Sequence, residues 1–453
     1  MATISSPGAA HFTSEVDVLI VGAGACGLVA ALAAAEAGAS VAVLERDASP
    51  NGSTSMSSGF VPAAGTRFQA AQGVADSPVL FATDIQHKAK DRAAPTLVEL
   101  ATQRIGPTLE WLADRHGLEW LVLDDFLYPG HGRHRMHAVP EKTGEALLAR
   151  LLAAANAADI PILTGAPVET LYAIEGRIAG ARVRDDDIGC GALVLACNGY
   201  GGNRALVRRH IPVMADAPYY GHAGNQGDAV LWGEALGAGT GDLSACQGHG
   251  SLAHPHGILI TWALMAEGGI QVNAAGRRFA NEHQGYSEHA VDVLAQPGAI
   301  AWAIFDARLR AFAQAFPDFR QAEAAGAVIE APDATTLATR IGASDLPATL
   351  AALYDGTDAF GRDFSSKPKL APPYCAVKVT GALFHTQGGL MIDNRARVAR
   401  ADGRPFANLY AGGGAARGVS GPDIDGYLSG NGLLTAIAFG AIAGASAAQP
   451  AVE

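Results

Sequence analysis

Gly22, Gly24, Gly27 and Glu45 have the types and the spacing to hold a dinucleotide. The three glycines stand at GxGxxG spacing. The first permits a tight turn, the second lets the backbone approach a pyrophosphate, and the third lets a helix pack on a strand. Glu45 follows 18 residues after Gly27, where a carboxylate can take both ribose hydroxyls of an ADP moiety. These groups need a strand, a helix and a second strand to position them, and the surrounding sequence predicts all three. Val18 to Val21 is a short apolar run suited to a strand buried on both faces. The Ala-rich segment from Leu28 to Ala37 is a strong helix former whose N-terminus offers free N–H groups and dipole to phosphates. Ser40 to Leu44 supplies the second strand and ends at Glu45. By itself the motif does not separate FAD from NAD.

Composition narrows the class. A chain of 453 residues predicts two domains, and 49% hydrophobic residues suit a large α/β core. The net charge of -12, without a long basic run, argues against nucleic acid and anionic membrane surfaces as partners. The longest apolar stretch is too short to span a bilayer. Residues 1–14 lack a basic and an apolar region, so they read as a loose leader rather than a signal peptide. The five cysteines, Cys26, Cys190, Cys197, Cys246 and Cys375, form no CxxC pair. They read as reduced thiols of a cytoplasmic protein, with no metal, haem or iron–sulfur site.

Along the chain, residues 51–60 (NGSTSMSSGF) form a small-residue loop, and helical periodicity follows over Ser77 to His116 and Thr143 to Ala158. Strand pieces are expected at Ile162 to Ala166, Val168 to Leu171, Arg177 to Arg184 and Gly191 to Cys197. GGIQVNAAGRRFANE, residues 268–282, reads as a hairpin. Gly389 to Val398 and Asn408 to Ala411 read as strands, and Leu433 to Ala448 as a small-residue helix. This pattern predicts a nucleotide domain over 1–246, interrupted by a domain at 247–378 and completed by 379–453.

Four blocks in order, VGAGACG…LER, LACNGYGGN, GGIQVNAAGRRFANE and HTQGGLMIDNRARV…NLYAGGGAARG…GYLSGNGLLTAIAFGAIAG, carry a resemblance over nearly the whole chain. The chain resembles flavoproteins of the fumarate reductase and 3-ketosteroid dehydrogenase superfamily, and is closer to the ketone-desaturating dehydrogenases. The resemblance implies an α/β architecture: a Rossmann-like FAD-binding domain of glutathione-reductase type with an inserted α+β substrate-capping domain. It resolves the cofactor as FAD, bound non-covalently because residues 51–60 contain no histidine.

The resemblance assigns Gly22, Gly24 and Gly27 to the pyrophosphate and Glu45 to the ribose. It places Ser53, Thr54, Ser58 and Gly59 beside pyrophosphate and isoalloxazine, and Val168 at the adenine. Asn198 and Gly199 pass the ribose, and Asp228 lies on the ribityl side. Gly413, Asn431 and Leu433 approach the ring, with the helix near Leu433 aiming its positive end at it.

Departures from fumarate reductases carry the specificity. Those enzymes place one arginine soon after the RRFANE-type strand and another in the C-terminal block. Here Tyr286 and Tyr427 take the two places. Ketosteroid dehydrogenases carry tyrosines at both. The resemblance therefore implies Tyr427 as the donor polarising a ketone and Tyr286 as the base taking the α-proton, the β-hydrogen leaving as hydride. An α-proton is too weakly acidic unless oriented donors stabilise the developing enolate. His385 matches a substrate-binding histidine, and His249 lies near another. In the cluster HGRHRMH, Arg133, His134, Arg135 or His137 has the chemistry to grip a substrate carboxylate, or the cluster is a solvated surface.

The expected function is desaturation of a cyclic ketone, a small oxo-acid such as 4-oxocyclohexanecarboxylate or a ketosteroid, with an external electron acceptor such as oxygen, a quinone or a dye. An ene-reductase running the reverse reaction and a non-catalytic FAD-binding protein are the alternatives.

Overall fold

The computed structural model describes residues 3–354, 358–365 and 367–449. These residues form two compact units: Met1–Ile211 with Gly221–Cys246 and His385–Glu453, and Pro212–Tyr220 with Gln247–Phe384. The second unit thus begins one residue past Cys246, takes in the short segment Pro212–Tyr220, and runs six residues beyond the expected limit at 378.

The first unit is built on a nine-stranded sheet. Phe12–Val21 lies at its heart, flanked in parallel by Val41–Leu44 and by Asp186–Leu195. Pro405–Ala411 adds a further parallel neighbour on Asp186–Leu195. Val18, Leu19 and Ile20 are fully buried, because helices cover one face and other strands and loops the other. Val168–Ile174 and Arg177–Val183 form an antiparallel excursion feeding Asp186–Leu195. Residues expected to form a loose leader contribute instead: Thr3–Ser5 pairs in parallel with Val168–Ile174.

Two helices rich in small residues, Ala25–Glu36 and Asn431–Ala447, pack closely together. A Cβ on Gly440 would lie 2.5 Å from the Cys26 carbonyl oxygen, and one on Gly444 would lie 2.0 Å from that of Ala30. The backbones therefore meet at glycine, which explains the Gly/Ala bias of both segments. The helical stretch expected from Ser77 to His116 is two helices, Pro78–Lys88 and Pro95–His116. Each starts with proline at its first position, where a missing N–H costs nothing.

The second unit is α+β. Its six-stranded sheet includes Cys246–Ala253, Tyr374–Thr386, Ile300–Asp306 and Ile270–Val272, with Val328–Ala331 on Tyr374–Thr386. The helices Ala307–Ala313, Pro317–Ala324 and Ala334–Ile341 contribute Leu309, Phe319 and Leu337 to its core. The hairpin expected at 268–282 does not form. Ile270–Val272 pairs with Ile300–Asp306, and residues 278–282 are not a strand. The physical reason lies in Glu282. Its carboxylate turns inward and accepts from the Gln271 N–H (2.9 Å), so a side chain takes the place of a return ladder.

Glu282 is fully buried between Arg278 (2.6 Å) and Arg362 (2.8 Å), and Arg278 also pairs with Asp358. Burial alone would raise the Glu282 carboxyl. The hydrogen bond from Arg278 and the charges of both arginines outweigh it and hold the group down at about 2. No helix among the described residues is long and apolar enough to cross a membrane.

Candidate active site

The glycine turn is shaped partly by the protein itself. Gly22 has φ +109°, and a Cβ there would lie 2.5 Å from the Ala196 oxygen. One on Gly27 would lie 1.8 Å from the Gly22 oxygen. Gly24 differs: its φ of -79° suits any residue, and the nearest atom to an added Cβ is Thr54 Oγ1 at 3.4 Å. Nothing in the chain requires glycine at 24, so the space it leaves is a cradle for a ligand approaching the start of helix Ala25–Glu36. Ala25 N–H donates to Thr54 Oγ1 (3.0 Å). Glu45 accepts from Ala23 N–H (2.9 Å) and Asp47 N–H (3.0 Å), which pins the carboxylate beside the turn with lone pairs left for ribose hydroxyls.

Around this cradle Ser53 Oγ accepts from Asn198 Nδ2 (2.7 Å) and Asn225 Nδ2 (3.0 Å), leaving its own proton to donate. Asn198 sits at φ +65°, and its Oδ1 accepts from Gly199 N–H (2.8 Å). Gly59 is buried, with its N–H on Ser57 Oγ (3.1 Å), whereas Ser58 is exposed. Val168 opens its strand half-buried. Asp228 begins helix Asp228–Leu236; burial raises its carboxyl, and the positive charge of Arg46 opposes that rise. Arg46 reaches the Gly224 carbonyl (2.6 Å). Neither Asn225 nor Arg46 was foreseen. Arg46 follows Glu45 directly in the motif, and Asn225 is the second residue of the GNQGD segment, so each had a signal by position only.

Asn431 starts the last helix fully buried, and its Oδ1 has no hydrogen-bond partner among the described residues. Such an orphaned acceptor calls for a donor from beyond the described residues, and the N–H of an isoalloxazine would fit it. Gly413 is buried at φ +55° and Leu433 half-buried. Cradle, free helix N-terminus and orphaned acceptor fit FAD.

Asn431 also begins a string of polar side chains. Its Nδ2 donates to Ser420 Oγ (2.9 Å), Ser420 donates to Gln387 Oε1 (3.1 Å), and Gln387 Nε2 donates to His385 Nδ1 (2.8 Å). Burial pushes the His385 imidazole down to about 4, against a backbone bond to Thr386, so it is neutral at pH 7. Tyr427 is 6% exposed. A Cβ on Gly432 would lie 4.0 Å from both Tyr427 Oη and Gln387 Nε2, which brings the tyrosine to the same corner as the string.

In the second unit, Tyr286 opens helix Tyr286–Leu294. Its ring stacks on His249 at 4.9 Å, and the other face of His249 stacks on Phe384 at 5.2 Å. Trp262 meets the imidazole edge-on at 5.8 Å. Burial, with His289 nearby, drives His249 down to about 3. His249 Nδ1 accepts from Ser251 N–H (3.2 Å).

In the 131–137 cluster Arg135 departs from its expected role. Arg135 is 1% exposed, and its guanidinium forks onto Asp76 (2.7 and 3.0 Å) and pairs with Asp84 over the Phe81 ring. Two carboxylates and burial leave it no approach for a substrate carboxylate, so it is a core ion-pair residue. Arg133 is exposed and bonds the carbonyls of Ala75 (3.2 Å) and Gly132 (2.7 Å). His137 is buried against Thr66 (2.8 Å). The member of the cluster that reaches the Tyr427 loop is His131, whose Nε2 bonds the Ser429 carbonyl (3.0 Å). Sequence reasoning named Arg133, His134, Arg135 and His137 and passed over it.

A dinucleotide turn completed by a late helix, with a polar corner beside it, defines a flavin-dependent oxidoreductase. Residues 17–432 match the FAD binding domain family, and the chain belongs to it and binds FAD. It is 30% identical over 98% of its length to a probable fumarate reductase of Shewanella frigidimarina, covering 77% of that protein. It is 29% identical over 96% of its length to the NADH:fumarate oxidoreductase of Klebsiella pneumoniae, of which it spans about half (48%). It is 25% identical over 89% of its length to the 4-oxocyclohexanecarboxylate 2-dehydrogenase of Sinomonas cyclohexanicum, covering 88% of that protein.

Among solved structures, a flavocytochrome c3 fumarate reductase in its open conformation superposes with TM-score 0.80 at 29% identity, covering 97% of this chain and 79% of that one. A 3-ketosteroid Δ4-(5α)-dehydrogenase of Rhodococcus jostii shares the fold with TM-score 0.78 at 24% identity, covering 99% of this chain and 100% of that one. The chain is thus an FAD-dependent oxidoreductase of the fumarate reductase family, and it shares its fold with ketosteroid dehydrogenases.

Proposed function

We propose that the protein is a dehydrogenase that desaturates a cyclic ketone at the α,β position. One observation carries the reading: tyrosines, Tyr286 and Tyr427, occupy the two positions where fumarate reductases carry arginines. Tyrosines cannot clamp a dicarboxylate as guanidinium forks do. A phenol O–H can instead donate to a carbonyl oxygen, and a phenolate can take a proton.

In this reading Tyr427 donates its hydroxyl hydrogen bond to the ketone oxygen, and His385 adds a second neutral donor. Tyr286 accepts the α-proton. The high proton affinity of a phenol must be overcome by neighbours, and the face-to-face imidazole of His249 is the group that orients the Tyr286 ring. Bound FAD supplies the acceptor for the hydride that leaves the β-carbon. The two electrons then pass to an external acceptor, oxygen, a quinone or a dye. The unit containing Gln247–Phe384 acts as the substrate cap, and the flavin is held without a covalent bond. A small oxo-acid such as 4-oxocyclohexanecarboxylate fits the likeness to the Sinomonas enzyme, with ketosteroids as the larger class.

The test is anaerobic mixing of holoprotein with cyclohexanones, oxo-acids and steroids while following the flavin's visible absorbance. Bleaching by a ketone is expected, and no bleaching by any of the three classes overturns the proposal. Tyr427→Phe removes one donor to the developing oxyanion and is expected to slow bleaching roughly 10²- to 10³-fold. An unchanged rate removes Tyr427 from its role. The reverse activity, reduction of an activated alkene, is a second reading, supported by the fumarate-reducing relatives. Oxidation of dithionite-reduced holoprotein by an enone or by fumarate, faster than any ketone-driven reduction, would favour it.

A further inference from the structure

The string from Asn431 to His385 has a direction, and the direction fixes where a proton sits. Gln387 Nε2 can only donate, so in this arrangement His385 Nδ1, 2.8 Å away, is the bare nitrogen. The single proton of a neutral imidazole is then on Nε2. The amide of Gln387 does not turn over alone; only a joint reversal of Asn431, Ser420 and Gln387 would make the same bonds, and it would put the proton on Nδ1. Ser420 Oγ already accepts from Asn431 Nδ2, so its own proton goes to Gln387 Oε1. A flipped amide would aim a second donor at Ser420 and leave that hydroxyl without an acceptor. The Gln387 backbone is pinned as well, its N–H on the Ala245 carbonyl and its carbonyl on the Gly418 N–H, both 2.9 Å. Gln387, Ser420 and Asn431 are 3%, 1% and 0% exposed, so no solvent competes for these bonds.

We infer that Gln387 is a positioning residue for His385, locking the imidazole as an Nε2–H donor toward substrate, and that Ser420 and Asn431 hold Gln387 in the orientation that does so. The substrate end of this inference rests on the proposed dehydrogenase reading; the tautomer does not. The depression of His385 to about 4 keeps the ring neutral at pH 7, with a single proton to place on one nitrogen or the other. The string also joins a residue expected at the flavin to a residue expected at the substrate through neutral groups alone. A site built this way offers a carbonyl oxygen donors of fixed direction whose strength does not change with pH around neutrality.

The experiment is nitrogen-15 NMR of histidine-labelled holoprotein without any ketone, the His385 signals being assigned by their loss in His385→Asn. The wild type is expected to show a protonated Nε2 and a bare Nδ1 at pH 7. Gln387→Glu replaces the amide donor with an acceptor, and Nδ1 is expected to gain a proton. Should that variant lose its flavin, Gln387→Leu serves, with loss of the single Nε2–H form expected. A protonated Nδ1 in the wild type, or variant spectra identical to the wild type, overturns the inference.

A kinetic arm uses any ketone that bleaches the flavin. In Gln387→Glu the pH profile of kcat/KM is expected to acquire an ionisation near neutrality that the wild type lacks, and the rate at pH 7 to fall on the order of 10²-fold, as for one misdirected donor. If the spectra come out as expected and no ketone bleaches the flavin, the dehydrogenase reading falls and the positioning of His385 stands.

Discussion

His385 and His249 are both neutral imidazoles with sharply lowered proton affinity, yet they are held by opposite means. His385, in the first unit, is held by a string of amide and hydroxyl donors. His249, in the second, takes one backbone N–H, from Ser251, on Nδ1 and is otherwise held by stacking on the rings of Tyr286 and Phe384. A hydrogen bond chooses which nitrogen carries the proton, while a stack chooses the plane of the ring and is indifferent to the tautomer. Cost divides them too. An orphaned buried polar group costs about 1–3 kcal/mol, whereas an aromatic pair is worth roughly 0.5–1.5 kcal/mol beyond its area. The string is brittle and specific; the stack is forgiving.

The largest effect is expected beneath the stack. Trp262, which meets His249 edge-on, donates its indole N–H to the Glu282 carbonyl (3.1 Å), and the Glu282 side chain holds two buried arginines. Glu282→Gln takes from buried Arg362 its carboxylate partner and leaves Arg278 with Asp358 alone; it is expected to cost about 3–5 kcal/mol, read as an earlier thermal transition with loss of the aromatic circular dichroism of that unit. A transition unmoved by this change would remove the ion cluster as the platform of the stack.

Acid comes next. His131, His137, His289 and His385 lie at about 4 and His249 at about 3, against an ordinary 6.5. The unfolded chain takes up these protons first as pH falls, so stability declines from about pH 6.5 down toward 4 and returns on raising the pH. Glu282, at about 2 against an ordinary 4.5, keeps its charge in the folded chain and adds its own loss at the acid end of that window, as the unfolded carboxyl takes up its proton. Thermal midpoints measured across the window test this, and midpoints flat between those limits would contradict it.

Ser420→Ala orphans Gln387 Oε1 and Asn431 Nδ2 together and is expected to cost about 1–3 kcal/mol for each group. His249→Leu keeps an apolar body in the stack and is expected to cost only about 1 kcal/mol. Equal losses from the two would erase the distinction between string and stack.

Much of the first unit was legible in the chain because its demands are local. The glycine turn, the apolar strand Val18 to Val21 and the small-residue helix each announce themselves in consecutive residues. The inserted unit was harder. Residues 268–282 read as a hairpin because Gly, Asn and alternating apolar residues favour one; the buried arginines that recruit Glu282 lie far apart, Arg362 being 80 residues on. Arg135 illustrates the same limit. A guanidinium in a polar cluster looks exposed until Asp76 and Asp84 arrive from a preceding segment. The tyrosines were visible through their two family positions. The string was not, since Gln387, Ser420 and Asn431 are ordinary polar residues until the fold aligns their donors and acceptors.

Gly24 offers a route to a blank. Gly22 and Gly27 are demanded by carbonyl oxygens of the chain itself, so a methyl group at either strains the protein whether or not the cofactor is present. Gly24 meets only one hydroxyl at van der Waals distance. A Gly24→Ala chain is therefore expected to fold, to unfold near the temperature of the stripped wild type, and to emerge colourless from purification. Such a preparation would separate the affinity for flavin from the stability of the scaffold. In a survey of random variants it would also mark Gly24, alone of the three motif glycines, as a position lost for ligand rather than for folding.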